Sequence, residues 1–307
     1  MRIFLTGATG YIGAAVLDAL VRGGHDVTAL VRNSEKAREV AKRGAHPVIG
    51  NLAETASYRA AADAQDGYVH AAYDGRSGRG PAIDQTALET IIAAAKRPRT
   101  AGSTTPSTRF IIYTSGVWIL GQTREPATED APINPIATAS FRPAHERLVL
   151  DAASDGLRTI VVRPGVVYGR GEGIVGDIFK AASNGLVRVV GDGNNHWPLV
   201  YDRDLADLYA RIVSNAQARG IFHANDEGDE RVNDIVGAIK PYLPVRPDVR
   251  YVPIDEARHK MGAYADALAL DQVVRSPRAR ALGWTPTLHS VAGNAARLLE
   301  EWRTSRN

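Results

Sequence analysis

The chain has 307 residues, 44% of them apolar and 23% charged, as in a soluble globular protein, and is long enough for one large α/β unit or two smaller domains sharing a core. Its 37 basic and 34 acidic residues leave a net charge of +3, a slight imbalance and no basic stripe, so nucleic acid is not an expected partner. The absence of cysteine excludes disulfides, thiolate metal sites and a cysteine nucleophile, and fits a reducing compartment.

The first predicted strand, residues 3–6, begins too early to leave room for a signal peptide, and no apolar run is long enough to cross a bilayer, so a cytoplasmic location without membrane contact is expected. That strand runs into Gly7, Ala8, Thr9, Gly10, Tyr11, Ile12 and Gly13, a GxxGxxG spacing that opens a helix with Ile12, Val16, Leu17 and Leu20 on its apolar face. Gly7 suits the tight turn off the strand, Gly10 lets backbone approach a pyrophosphate, and Gly13 lets the helix pack closely on the sheet. The helix N-terminus then faces a dinucleotide phosphate.

The second strand, residues 27–31, ends in Arg32, Asn33 and Ser34, where a site for NAD would offer a carboxylate to the ribose hydroxyls. A guanidinium suits a 2′-phosphate, so NADP(H) is expected in preference to NAD(H). Apolar runs at 48–49, 68–70, 110–113 and 159–162 then alternate with helices from Ser34, near Ser57, over 83–95 and over 144–153. Such alternation predicts a doubly wound parallel sheet, an α/β Rossmann domain over 1–165. Lys96, Arg97 and Arg99 lead into residues 100–107, which read as a basic surface loop. Beyond Pro164 come a helix near 176–182, a strand over 187–190, a helix from Asp204, a strand over 221–223 and helices near Val232 and Asp255. These predict a smaller substrate-binding cap over 166–307, with residues 199–224 returning to the sheet.

With these motifs the chain resembles the extended short-chain dehydrogenase/reductase superfamily, which includes the NAD-dependent epimerases and dehydratases. The resemblance covers nearly the whole chain: beyond the glycine turn it includes Gly50, Asn51 and Leu52, then His70, Ala71 and Ala72, then Tyr113, Thr114 and Ser115, and Arg163, Pro164, Gly165, Val166, Val167, Tyr168 and Gly169. Residues 200–206 and 276–286 resemble later signatures. It implies that Asn51, Leu52, His70, Ala71, Ala72, Thr114, Pro164, Gly165, Val166 and Val167 border the cofactor, and that Ser115 orients the substrate. It also implies a small-molecule substrate and a homodimer.

In that superfamily a Tyr and, four residues later, a Lys move the proton and hold the nicotinamide ribose. Here Thr138 and Arg142 stand at those positions, and no YxxxK occurs in the region. An aliphatic hydroxyl cannot replace a phenol of pKa about 10 as an acid, and an arginine holds its proton. Arg142 keeps the positive charge for the ribose, and Pro143 predicts that its helix starts at Arg142. Tyr168 is the first candidate for a substitute proton donor, ahead of Tyr73, His145, His196 and Tyr201; Trp118, Tyr73, His145, His196, Trp197 and Tyr201 are candidates for the substrate pocket. Asp202 and Asp204 lack further metal ligands and read as caps for the helix near Asp204, so no metal is expected. The expected activity is an oxidoreductase acting on a carbonyl or hydroxyl carbon; the alternatives are a non-redox epimerase, dehydratase or isomerase, and a non-catalytic NADP(H)-binding redox sensor.

Overall fold

The computed structural model describes residues 1–75, 77–98 and 108–305. Six parallel-paired strands, β1 (Arg2–Thr6), β2 (Asp26–Val31), β3 (His46–Ile49), β4 (Gly67–His70), β5 (Arg109–Thr114) and β6 (Leu157–Pro164), join Gly220–Ala224 in a seven-stranded sheet. Its order is Gly220–Ala224, β6, β5, β4, β1, β2, β3. The chain builds outward from β1 to β3 and then crosses to lay β4 on the other side of β1, so strand order reverses between β1 and β4. Open α/β sheets bind ligands at the carboxyl ends of the strands at such a point. The central strands β4 and β6 are buried along their whole length, including the polar His70, Arg158, Thr159 and Arg163, while the edge strand β3 has no buried residue.

Five helices matter for the site: α1 (Tyr11–Arg22), α2 (Ser34–Lys42), α3 (Arg59–Asp63), α4 (Gly80–Lys96) and α5 (Arg142–Leu150). Helix α5 begins at Arg142 with Pro143 in its first turn, where the missing N–H costs nothing. Lys96 closes α4 and Arg97 pairs with Asp63 at 2.7 Å, while the rest of the basic loop, Arg99 and residues 100–107, lies outside the described residues.

Two compact units emerge. Unit 1 comprises Met1–Ser115, Phe141–Val162 and Ala206–Phe222; unit 2 comprises Gly116–Ser140, Arg163–Leu205 and His223–Asn307. The division therefore differs from the expected boundary at 165. The segment after β5 leaves unit 1 because its partners come from far along the chain: Gln272 Nε2 donates to the carbonyls of Val117 and Gly121, and Val117, Ile119 and Leu120 bury themselves against Val274. In unit 1, Phe4, Tyr68, Ile111 and Val161 of the sheet pack with Leu88 and Ile91 of α4 and Val149 of α5. Unit 2 has a core of its own, built around Tyr168, Phe179, Trp197, Ile235, Leu299 and Trp302. Among the described residues no helix is long and apolar enough to cross a membrane.

Candidate functional site

At the carboxyl end of β1 the glycine turn takes the shape its sequence predicts. Gly7 has φ of +79°, and a Cβ there would lie 2.7 Å from the Ala71 carbonyl carbon and 2.8 Å from the Ala72 nitrogen, so only glycine fits. A Cβ on Gly13 would fall into the Gly7 carbonyl, which fixes how closely α1 approaches β1. A Cβ on Gly10 would meet, among the described residues outside its own local backbone, only the Gly7 oxygen at 3.3 Å, so that side of the turn is open. Gly10 precedes α1 at its N-cap and offers no side-chain cap, and the first turn holds no acidic residue, which leaves the positive end of the helix dipole for an anion. Thr9, Tyr11 and Ile12 are partly exposed beside it. This turn fits the phosphates of a dinucleotide.

Arg32 is exposed immediately after β2, and Asn33 caps α2 through a 2.9 Å bond from the Lys36 nitrogen. Asn51 is committed to its own turn, accepting from the Ala53 nitrogen at 3.1 Å and donating to Glu54 at 3.2 Å, and Leu52 packs at the edge of the unit 1 core. The backbone after β4 is tied to β1, with Ala71 N on the Thr6 carbonyl and Ala72 N on the Thr6 hydroxyl, each at 3.3 Å.

Next to this floor is the end of β5. The Thr114 hydroxyl pairs with the Tyr209 hydroxyl at 2.7 Å, and the Thr114 carbonyl accepts from Arg142 Nη1 at 3.0 Å. The Arg142 guanidinium also lies 5.1 Å from the Phe141 ring and 5.7 Å from the ring of Tyr73, which stacks on Phe141 at 5.2 Å. Ser115 has its nitrogen fixed on the Val162 carbonyl at 2.8 Å, yet its buried Oγ has no hydrogen-bond partner among the described residues. A buried hydroxyl without a partner carries a desolvation cost that a bound oxygen or nitrogen removes.

Several expected site residues have other tasks. In unit 2, Tyr168 is fully buried and its hydroxyl donates to Asp226 at 3.3 Å. Burial, with Asp226 and other carboxylates beside it, pushes the phenol far above its ordinary value, so Tyr168 gives up a proton less readily than an ordinary phenol. Tyr201 is buried and donates to Glu301, with its phenol pushed up to about 12 by burial and that carboxylate. Trp197 is core, with its indole N–H on the Leu268 carbonyl at 3.2 Å. His196 is half-buried and bonds Asp271 at 2.9 Å, while Trp118 is half-buried with its edge toward Tyr264. Gly165 lies against Pro198 so closely that a Cβ would strike its carbonyl, and Val166 and Val167 are buried with Tyr168 in a strand alongside Leu199–Tyr201. Asp204 lies in the first turn of the helix Asp202–Ser214 and accepts from the Thr287 nitrogen and hydroxyl and from the Leu288 nitrogen.

In unit 1, His145 is 4% exposed with Nδ1 2.7 Å from Asp84, which makes it a packed residue and no pocket wall. His70 is buried likewise, bonding Thr6 at 2.7 Å and Asp84 at 3.0 Å. No motif marks Asp84 in the sequence; its signal is a carboxylate between Ile83 and Ala87 on the buried face of an amphipathic helix.

The sequence pattern of the NAD dependent epimerase/dehydratase family matches residues 3–224. An uncharacterized protein of Schizosaccharomyces pombe is 31% identical over 299 residues, spanning 95% of this chain and 96% of its own, and the 2-alkyl-3-oxoalkanoate reductase of Stenotrophomonas maltophilia is 30% identical over 256 residues, 78% and 76% of the two chains. Among solved structures, human epimerase family protein SDR39U1 with NADPH superposes with a TM-score of 0.78 at 20% identity over 98% of this chain and 99% of its own. UDP-glucose 4-epimerase of Thermotoga maritima with UDP-glucose gives 0.82 at 19% identity over the full length of both chains. The chain belongs to the NAD dependent epimerase/dehydratase family.

Proposed function

We propose that the protein is an oxidoreductase that binds NADP(H) in preference to NAD(H) and acts on the carbonyl or hydroxyl carbon of a small organic substrate. The observation that carries this reading is the Ser115 hydroxyl, buried and without a partner among the described residues, one residue beyond the carbonyl that holds Arg142. The turn from Gly7 to Gly13 takes the pyrophosphate, and the exposed Arg32 takes a 2′-phosphate. When bound, the reduced dinucleotide supplies the hydride that, with one proton from solvent, converts a carbonyl to an alcohol. Ser115 donates to the substrate oxygen, where negative charge develops. Arg142 orients the nicotinamide ribose through its guanidinium, a set of hydrogen-bond donors with no acceptor. With Tyr168 packed against Asp226, the proton comes from solvent. The reductase name of a relative aligned over three quarters of this chain, and a structural neighbour holding NADPH, support the same direction.

The test is turnover of the purified protein with NADPH and a panel of ketones, sugar nucleotides and hydroxylated compounds. Oxidation of one NADPH per alcohol formed is the expected result. Substrate converted with no net loss of NADPH would replace this reading by an isomerase, and tight NADPH binding with no conversion anywhere in the panel would replace it by a non-catalytic binder.

A further inference from the structure

Asp84 projects from α4 into the core of unit 1 and is 2% exposed, a costly place for a carboxylate unless its oxygens are satisfied. They take three hydrogen bonds: His70 Nε2 on Oδ1 at 3.0 Å, and His145 Nδ1 at 2.7 Å with the Tyr113 hydroxyl at 2.9 Å on Oδ2. The two imidazoles bond different oxygens, and the described residues contain no group of side chains placed to hold a metal. Burial alone would raise the Asp84 carboxyl, but the bonds from His145 and His70 outweigh it and hold the group well below the ordinary carboxylate range, so it is ionised.

The network has a direction and two ends. The ionised Asp84 can only accept, so the His70 proton is assigned to Nε2; Nδ1 of the neutral imidazole then accepts from the Thr6 hydroxyl at 2.7 Å, and Thr6 Oγ1 accepts from Ala72 N–H. At the other end, Tyr113 spends its one proton on Asp84 and accepts from Arg142 Nη1 at 3.4 Å, while Arg142 also donates to the Thr114 carbonyl. Burial keeps Tyr113 a neutral phenol. One carboxylate is thus joined through His70 to the floor under the Gly7 turn and through Tyr113 to the guanidinium beside Ser115. Apolar residues of the same volume often serve a core as well as a buried charged network, but here they would leave both ends undirected.

We infer that Asp84 is a positioning residue of the candidate site: acting through Tyr113 it sets the direction and counter-charge of Arg142, and acting through His70 it holds the Ala71–Ala72 backbone against the glycine turn. The inference rests on the reading above in giving Arg142 the task of holding the dinucleotide.

Equilibrium binding of NADPH, followed by its fluorescence, tests it without requiring turnover. Tyr113→Phe removes only the bridging hydroxyl and leaves the ring, so it is the principal variant; Asp84→Asn is the second. Tyr113→Phe is expected to weaken NADPH about tenfold, and this loss is expected to vanish when the same change is made in Arg142→Ala, where no guanidinium is left for the hydroxyl to direct. Strictly additive losses, or unchanged affinity in a folded Tyr113→Phe protein, overturn the inference while leaving the oxidoreductase reading intact. Failure of the unaltered protein to bind either dinucleotide overturns that reading and this inference with it.

Discussion

Ser115 separates what the site needs for chemistry from what it needs for stability. Its hydroxyl has no partner among the described residues, so Ser115→Ala removes an unsatisfied buried group and is expected to leave the melting temperature unchanged or slightly raised. If the hydroxyl donates to the substrate oxygen, the same variant loses about a hundredfold in kcat with NADPH affinity unchanged; parallel losses of activity and stability would instead make Ser115 a packing residue. Arg32 is tested by affinity: Arg32→Ala is expected to weaken NADPH about tenfold and leave NADH unaffected, because Asn33, and not Arg32, caps α2. Equal weakening of both dinucleotides would remove Arg32 from the 2′-phosphate. At this scale the sequence was a good guide to placement along one strand or turn: Gly7 has the positive φ that its turn requires, and Ser115 follows directly on β5. It was a poor guide for aromatic and imidazole side chains. Tyr168 and His145 stand in the right segments, but whether a hydroxyl or a ring nitrogen meets solvent or a buried carboxylate is settled by Asp226 and Asp84, each more than fifty residues away in sequence.

At the scale of elements, local chemistry again decides what could be foreseen. Pro143 in the first turn sets the start of α5, and this places Arg142 at the helix entrance with its guanidinium turned to the end of β5. The contact of α1 with β1 depends on Gly13, where a methyl group would meet a backbone carbonyl and no flexible side chain is available to give way. Gly13→Ala is therefore expected to push α1 outward, costing about 2 kcal/mol or more despite the better intrinsic helix propensity of alanine. Thermal unfolding measures the loss, and NADPH binding is expected to weaken in the same protein; a melting temperature at or above that of the unaltered chain would show that the close approach is not required. The Gly116–Ser140 segment was not legible in this way. It carries no strong period of its own, and its place in unit 2 depends on Gln272 and Val274, some 150 residues later, which no local pattern announces.

For the molecule as a whole, the alternation of strands and helices foretold the parallel sheet because each crossover is local, while the division into units depended on which distant segments share a core. The core of unit 2 encloses a carboxylate with consequences for the stability of the protein. Asp226 is 2% exposed, accepts from the Gly228 nitrogen at 3.0 Å and from Tyr168, and has its carboxyl pushed up to about 7, chiefly by burial and further by Glu230. An unfolded chain returns that group to about 4, so between these values the native state binds more protons than the unfolded one. The stabilising contribution is complete below about pH 4 and is lost as the pH rises through about 7, each unit of pKa difference being worth about 1.4 kcal/mol. Asp226→Asn keeps an oxygen acceptor and cannot ionise. Relative to the unaltered protein its melting temperature is therefore expected to rise as the pH goes from 5 to 8, narrowing or reversing any deficit present at pH 5. A difference between the two proteins that stays constant across that range would show that Asp226 titrates alike in the folded and unfolded chain, and that its burial is not felt by the proton.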